Sequence, residues 1–160
     1  MGQLILNLQI ACKNTINLPK ESAFYRWISA TFHIINPCYK HNEITIRLVE
    51  KEESLYLNKT YRGINKATNI LSFLLKIPIN IDTLLLGDLI ICRDILEQEA
   101  KEQNKKSEEH WAHIVIHGTL HLLGYNHINN IEAQIMEELE TKILVDLNYR
   151  DPYFIDKDKL

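Results

Sequence analysis

Ser107-Glu-Glu-His-Trp-Ala-His-Ile-Val-Ile-His-Gly-Thr-Leu-His-Leu-Leu-Gly-Tyr-Asn-His127 is the stretch on which the reading of this chain turns. Ser107 followed by Glu108 and Glu109 predicts a helix start, with a capping hydroxyl and first-turn acids that suit the positive end of the helix dipole. The helix should run through Leu122 or Leu123 and stop at Gly124, a residue type that tolerates a left-handed conformation just past a helix end. His110, His113, His117 and His121 then share one face. They cannot all hold one ion: at about 1.5 Å of rise per residue, His113 and His121 lie roughly 12 Å apart along the axis. A single ion is best bridged by residues four apart, which leaves the pairs 113/117 and 117/121. Gly124 selects the second pair, because a chain turned back there lets His127 meet an ion held by His117 and His121.

Three neutral imidazoles leave a fourth tetrahedral position open for water, as in catalytic zinc sites. One Zn2+ per chain is therefore expected, its bound water acidified toward a pKa of about 7. Imidazole also suits nickel and iron. The spacing His-x-x-x-His-x-x-Gly-x-x-His is shared with the metzincin proteases, which require a glutamate directly after the first histidine as general base. Here that position is Gly118, so peptide hydrolysis by that route is not expected.

Working outward, residues 130–147 predict a last helix carrying Ile131, Ile135, Leu139 and Ile143 on one stripe. Before the histidine helix, Asp94 predicts the cap of another, running to about 104. Leu84–Cys92 and Thr68–Phe73 read as strands joined by an irregular segment containing Pro78, and a short helix is expected over 51–60. Glu43–Glu50 alternates, with Ile44, Ile46 and Leu48 on one side, and so does 3–11, with Leu4, Leu6, Leu8 and Ile10. Between them Pro19 marks a helix start, and Phe24, Trp27, Ile28, Thr31 and Ile35 recur at helical spacing. Strands early and helices late predict an α+β fold. No linker, repeat or low-complexity tract divides the 160 residues, so 1–160 is read as a single domain.

Composition narrows the function classes. Apolar runs are interrupted well before the roughly 18 residues a membrane span needs, and the N-terminus has no basic segment of a secretory signal, so a cytoplasmic location is expected. Cys12, Cys38 and Cys92 form no Cys-x-x-Cys pair and are expected to be buried free thiols. The net charge of −3 argues against indiscriminate coating of nucleic acid, yet charge is unevenly spread. Ser54–Ile81 holds no Asp or Glu but carries Lys59, Arg62, Lys66 and Lys76, whereas acids gather in 94–109 and 132–146. Such separation can steer a polyanion to one face.

The run His117-Gly-Thr-Leu-His-Leu-Leu-Gly-Tyr-Asn-His127 resembles the signature of the YbeY family of metal-dependent endoribonucleases. Leu57-Asn-Lys-Thr-Tyr-Arg62-Gly63, Thr68-Asn-Ile-Leu-Ser-Phe73, Leu86-Gly-Asp-Leu-Ile-Ile-Cys92 and Asn148-Tyr-Arg-Asp-Pro-Tyr153 look like its other blocks, in order. The resemblance implies a small mixed β-sheet packed against helices and a zinc site formed by His117, His121 and His127. It implies an endoribonuclease specific for single-stranded RNA that acts in rRNA maturation, including 16S rRNA 3′ end processing, and in ribosome quality control. Ribosomal RNA and the ribosome, or its small subunit, are the partners it implies. The family's important arginine falls on Arg62, whose guanidinium can meet two phosphate oxygens as negative charge builds.

Two departures stand out. Asn126 replaces the family's usual aspartate before the third histidine, removing a charge able to orient a ligand or tune bound water. Ala67 and Leu74 replace prolines flanking the Thr68–Phe73 block. Among the remaining side chains, Tyr61 and Phe73 are candidates for base stacking, although packing in the core is the stronger expectation for Phe73. Asp88 reads as a group behind the ligands or a cap of the turn after Gly87, and His110 and His113 are candidates for proton transfer, with helix packing or solvent exposure the stronger expectation. Two alternatives stay open from the residues alone: a metal-dependent hydrolase of another substrate, and a non-enzymatic ribosome-assembly factor with a structural metal.

Overall fold

The computed structural model describes residues 3–153. Element order is β1 (Gln3–Ile10), α1 (Glu21–Ile35), β2 (His41–Val49), α2 (Lys51–Arg62), β3 (Ile70–Pro78), β4 (Thr83–Cys92), α3 (Arg93–Glu102), α4 (Ser107–Leu122) and α5 (Asn130–Asp146). The four strands form one mixed sheet in the order β1-β2-β4-β3. β2 pairs in parallel with β1 and β4, and β3 runs antiparallel to β4 as a hairpin. The parallel pairs need helical crossovers, which α1 supplies between β1 and β2. The class is α+β with a small mixed sheet, as expected, although helices and strands interleave through the first half.

Alternation sorts the sheet residues to two faces. On one, Leu4, Ile44, Ile46, Leu48, Leu86, Leu89 and Ile91 pack against Phe24, Trp27 and Ile28 of α1 and Trp111, Val115 and Leu122 of α4. Phe24 sits edge-on to both tryptophans, with ring centroids 5.6 and 5.8 Å away. Each such side chain contributes about 1.5–3 kcal/mol by leaving water. The other face carries a smaller cluster of Val49, Leu71, Ile90 and Cys92, covered by Leu57 of α2, Phe73 and Ile95.

Two glycines set how closely α4 lies on the sheet. A Cβ on Gly118 would fall 2.6 Å from Ile70 Cδ1 and 3.0 Å from Leu89 Cδ2. One on Gly87 would fall 2.3 Å from the Phe73 carbonyl oxygen and 2.7 Å from Leu122 Cδ2. Position 118 therefore faces packed sheet, and no glutamate of the metzincin kind fits there. At the end of α4, Gly124 takes φ +99°. Its N–H donates to the His121 carbonyl and that of Tyr125 to the Leu120 carbonyl, both at 3.0 Å. This is the Schellman closure, and it turns the chain back as the glycine predicts.

Several local expectations are corrected. Ser107 is the first residue of α4 rather than its cap, which is Lys106. The Ser107 hydroxyl donates instead to Glu97 Oε1 at 2.8 Å, a carboxylate that also accepts from Trp111 Nε1 at 2.7 Å. The α3–α4 corner thus takes the hydroxyl for tertiary structure. Asp94 lies inside the first turn of α3, with Cys92 at the cap position. Pro78 closes strand β3, whose ladder slips between Leu74 and Ile77 around Lys76 at φ +49°. Of the expected α5 stripe, Ile143 is buried and Leu139 packs on the core, but Ile131 and Ile135 are exposed, and Met136, Glu140 and Leu144 are buried in addition. Cys12 and Cys92 are buried free thiols, but Cys38 is exposed.

Candidate metal centre

α4 presents a row of imidazoles one turn apart. His110 lies against α3, where its Nε2 meets Glu99 Oε1 at 3.0 Å; the same oxygen accepts from Asn69 Nδ2 at 3.0 Å. Burial pushes the His110 pKa down. Farther along, His117 and His121 face each other with Nε2 atoms 3.1 Å apart. The Gly124 turn brings in His127, its ring centroid 4.9 Å from that of His121 and 5.4 Å from that of His117. One nitrogen from each of these three rings lies within 4.8 Å of the others. Tetrahedral zinc with bonds near 2.0 Å needs nitrogens roughly 3.3 Å apart, so the donor set and the His117–His121 spacing fit such an ion. Burial, and then the neighbouring His117 and His127, push the His121 pKa down to about 4. Near neutral pH that ring is uncharged, the form that donates a lone pair.

Behind His117 stands a residue that the sequence reading missed. Glu140 of α5 is fully buried, and its carboxylate accepts from His117 Nδ1 through Oε1. Through Oε2 it accepts from His113 Nε2 at 3.1 Å and from the Tyr153 hydroxyl. Burial alone would raise its pKa, but the hydrogen bonds from His113 and His117 outweigh it and hold the group at about 2. Burial, and then Glu140, push the Tyr153 hydroxyl pKa up. The available signal was a single acid at helical spacing between Met136 and Leu144.

The histidines line one wall of a cleft of about 760 Å³, and β3 residues Ile70–Leu74 form its floor. β3 is an edge strand, so one side of its backbone is open to this groove. Tyr61 and Arg62 line the cleft too. Arg62 is the last residue of α2, followed by Gly63 at φ +70°. The connection from there to β3 is pinned from α2: Asn58 Nδ2 donates to the Lys66 carbonyl at 2.7 Å, and the Ser54 hydroxyl bonds both the carbonyl and the N–H of Thr68 at 3.0 Å. The structure thus brings Arg62, His117, His121 and His127 to one cleft. Tyr61 is 67% exposed and meets Phe73 edge-on at 5.4 Å, whereas Phe73 packs against the smaller cluster. Asp88 does not join the site, because strand alternation sets it with Ile90 and Cys92 on the opposite face of the sheet from α4. Burial raises its pKa there. Asn126 is exposed and lines the cleft, and among the described residues the carboxylate that reaches one of the three clustered histidines is Glu140.

Fold and site together define an α+β protein with a three-histidine cleft bordered by an arginine. The sequence profile described as Endoribonuclease YbeY matches residues 9–148, and the chain belongs to this endoribonuclease family. The solution structure of TM1509 from Thermotoga maritima superposes with a TM-score of 0.55 at 21% identity, covering 94% of this chain and 100% of that one. That likeness is one of fold.

Proposed function

We propose that the protein is a zinc-dependent, single-strand-specific endoribonuclease of rRNA maturation. Its place would be 16S rRNA 3′ end processing and ribosome quality control in the cytoplasm, with the ribosome or its small subunit as partner. The observation that carries this reading is the convergence of three histidine nitrogens within 4.8 Å in a cleft shared with Arg62, together with membership of the endoribonuclease family. His117, His121 and His127 would hold the metal. When bound, the ion supplies positive charge that polarises water and the phosphodiester.

The chain's own residues divide the remaining work. Displacement at phosphorus spreads negative charge over the phosphoryl oxygens, and the Arg62 guanidinium can donate to two of them. Its position at the C-terminal end of α2 suits a cation, and the α2–β3 ties hold the wall that carries it. The exposed ring of Tyr61 offers a face for an unpaired base, which a single strand has and a duplex withholds. The β3 edge offers backbone groups along the groove. Gly118 packed on Ile70 and Leu89 weighs against the protease alternative. No helix among the described residues is long and apolar enough to cross a membrane.

The test incubates zinc-loaded protein and the His117→Ala/His121→Ala variant with single-stranded RNA, duplex RNA and casein. Cutting of single-stranded RNA that disappears in the variant supports the reading. Cutting that persists in the variant, or cutting of casein alone, overturns it.

A further inference from the structure

Glu140 poses a problem of physical chemistry. Transferring a carboxylate from water to a protein interior costs several kcal/mol unless hydrogen bonds replace its hydration. Packing does not require one here: its neighbours on the same helix stripe are Met136, Ile143 and Leu144, and an aliphatic residue would continue the stripe. Instead the carboxylate is surrounded by three donors from two parts of the chain, α4 and the segment after α5. His117 Nδ1 reaches Oε1, while His113 Nε2 and the Tyr153 hydroxyl reach Oε2. Tyr153 belongs to the segment after α5, which is fastened elsewhere as well. Trp27 Nε1 donates to the Tyr149 hydroxyl at 3.0 Å, and the Arg150 guanidinium donates twice to Glu109 Oε2, at 3.0 and 3.1 Å.

We propose that Glu140 is the positioning residue of the metal centre, fixing the proton of His117 on Nδ1 so that its Nε2 lone pair faces His121. This rests on the metal-site reading given above. An ionised carboxylate only accepts hydrogen bonds, so its contact with Nδ1 requires the proton there. With Nδ1 protonated, Nε2 is left as the donor atom, aimed at the His121 Nε2 only 3.1 Å away. His113 and Tyr153 hold the carboxylate in turn, so His113 acts on the centre through Glu140 and is not itself a ligand. Three neutral imidazoles carry no negative charge, and Glu140 sets an anion directly behind one of them. Carboxylates so placed orient histidine ligands and raise their basicity, and their loss typically weakens metal binding by about 10–100-fold.

Glu140→Gln keeps the size of the side chain and one acceptor oxygen but loses the charge. The folded variant, verified by circular dichroism, should bind zinc about 10–100-fold more weakly than wild type in competition with a chromogenic chelator. Glu140→Asp should recover part of the loss, because it restores the charge at shorter reach. A folded Glu140→Gln that binds zinc as tightly as wild type overturns the proposal. Should that variant not fold, the wild-type protein decides. With 15N-labelled histidine and no metal, NMR should find the His117 proton on Nδ1, and a proton on Nε2 overturns the proposal. RNA enters neither measurement, so failure of the nuclease reading would leave both results standing. A wild-type chain that takes up no metal would sink the metal reading, while the NMR result would still decide the place of the proton.

Discussion

In the same cleft as the histidines, Tyr61 and Arg62 are exposed at the end of α2, where the neighbouring loop is pinned and the Tyr61 ring rests edge-on against Phe73. On the histidine wall, by contrast, His117 is held from behind by a buried carboxylate, and His121 is confined beside it by burial and by the Gly124 turn. The contrast follows the two ligands. A small ion of the kind proposed needs closely fixed donor atoms, and of the three histidines His117 is hydrogen-bonded from behind and His121 is half-buried, while His127 is exposed. A single strand of RNA, the substrate proposed above, is long, variable and mobile, and would be met there by a cation and a ring with room to adjust. The histidine wall sacrifices adaptability for geometry, and the Tyr61–Arg62 wall does the reverse.

If the walls divide the work in this way, damage to the histidine wall should have the largest effect. His117→Ala/His121→Ala should fall from one zinc per chain to almost none by elemental analysis, and RNA cleavage should fall below detection. A variant that keeps stoichiometric metal would dissolve the distinction. Damage to the other wall should separate the two properties. Arg62→Ala should lose on the order of 10²–10³-fold in cleavage rate, the scale seen when one donor to developing charge is removed, with metal content unchanged. Arg62→Lys should recover only part of this, because an ammonium lacks the planar two-pronged geometry. Normal cleavage by Arg62→Ala would end its assignment, and loss of zinc would mean that the walls are not independent.

Acid should probe the histidine wall in the metal-free protein. His121 is pushed from 6.5 to about 4 in the folded chain, first by burial and then by His117 and His127. Below pH 6.5 the unfolded chain binds a proton that the folded chain refuses, so stability falls as pH drops from 6.5 toward 4. His110, pushed down chiefly by burial, acts in the same direction. Glu140, lowered from 4.5 to about 2 as the bonds from His113 and His117 outweigh burial, extends the loss through that lower window. Calorimetry of chelator-treated protein should show Tm dropping by on the order of a few degrees between pH 7 and 4. Arg62→Ala should trace a parallel curve. A Tm that is flat or rises toward pH 4 would contradict the confined state assigned to these groups.

What was legible in the sequence was local. Two histidines four apart on a helix, a glycine after it and a third histidine three further on define His117, His121 and His127 through helix geometry alone. The alternation of Ile44, Ile46 and Leu48 identifies β2 in the same way. Glu140 was not legible, because its partners lie 27 and 23 residues earlier and 13 later. It was also hidden by a competing stripe. Ile131, Ile135, Leu139 and Ile143 are the more apolar row, but only Leu139 and Ile143 of it meet the core, and Met136, Glu140 and Leu144 one residue round are buried beside them, so the buried face includes a charge. Ser107 shows the same limit on a smaller scale, since a hydroxyl suited to capping is claimed by Glu97 from the preceding helix. Pairing order in the sheet is likewise a property of distant segments.

Asn126→Asp should have the smallest effect, and it sharpens the comparison most. It places directly before His127 the carboxylate that the family resemblance leads one to expect, and by local logic should strengthen the site. Asn126 is exposed and lines the cleft. In water-like surroundings a unit charge at 4 Å is worth only about 1 kcal/mol before salt screening. The buried carboxylate that orients a ligand is already present at Glu140. Zinc affinity should therefore rise by less than about fivefold, the factor that 1 kcal/mol allows, and the gain should shrink further as ionic strength is raised. An increase of a hundredfold that persists in high salt would show that the exposed lining of the cleft, and not the packed interior behind His117, sets the strength of the site.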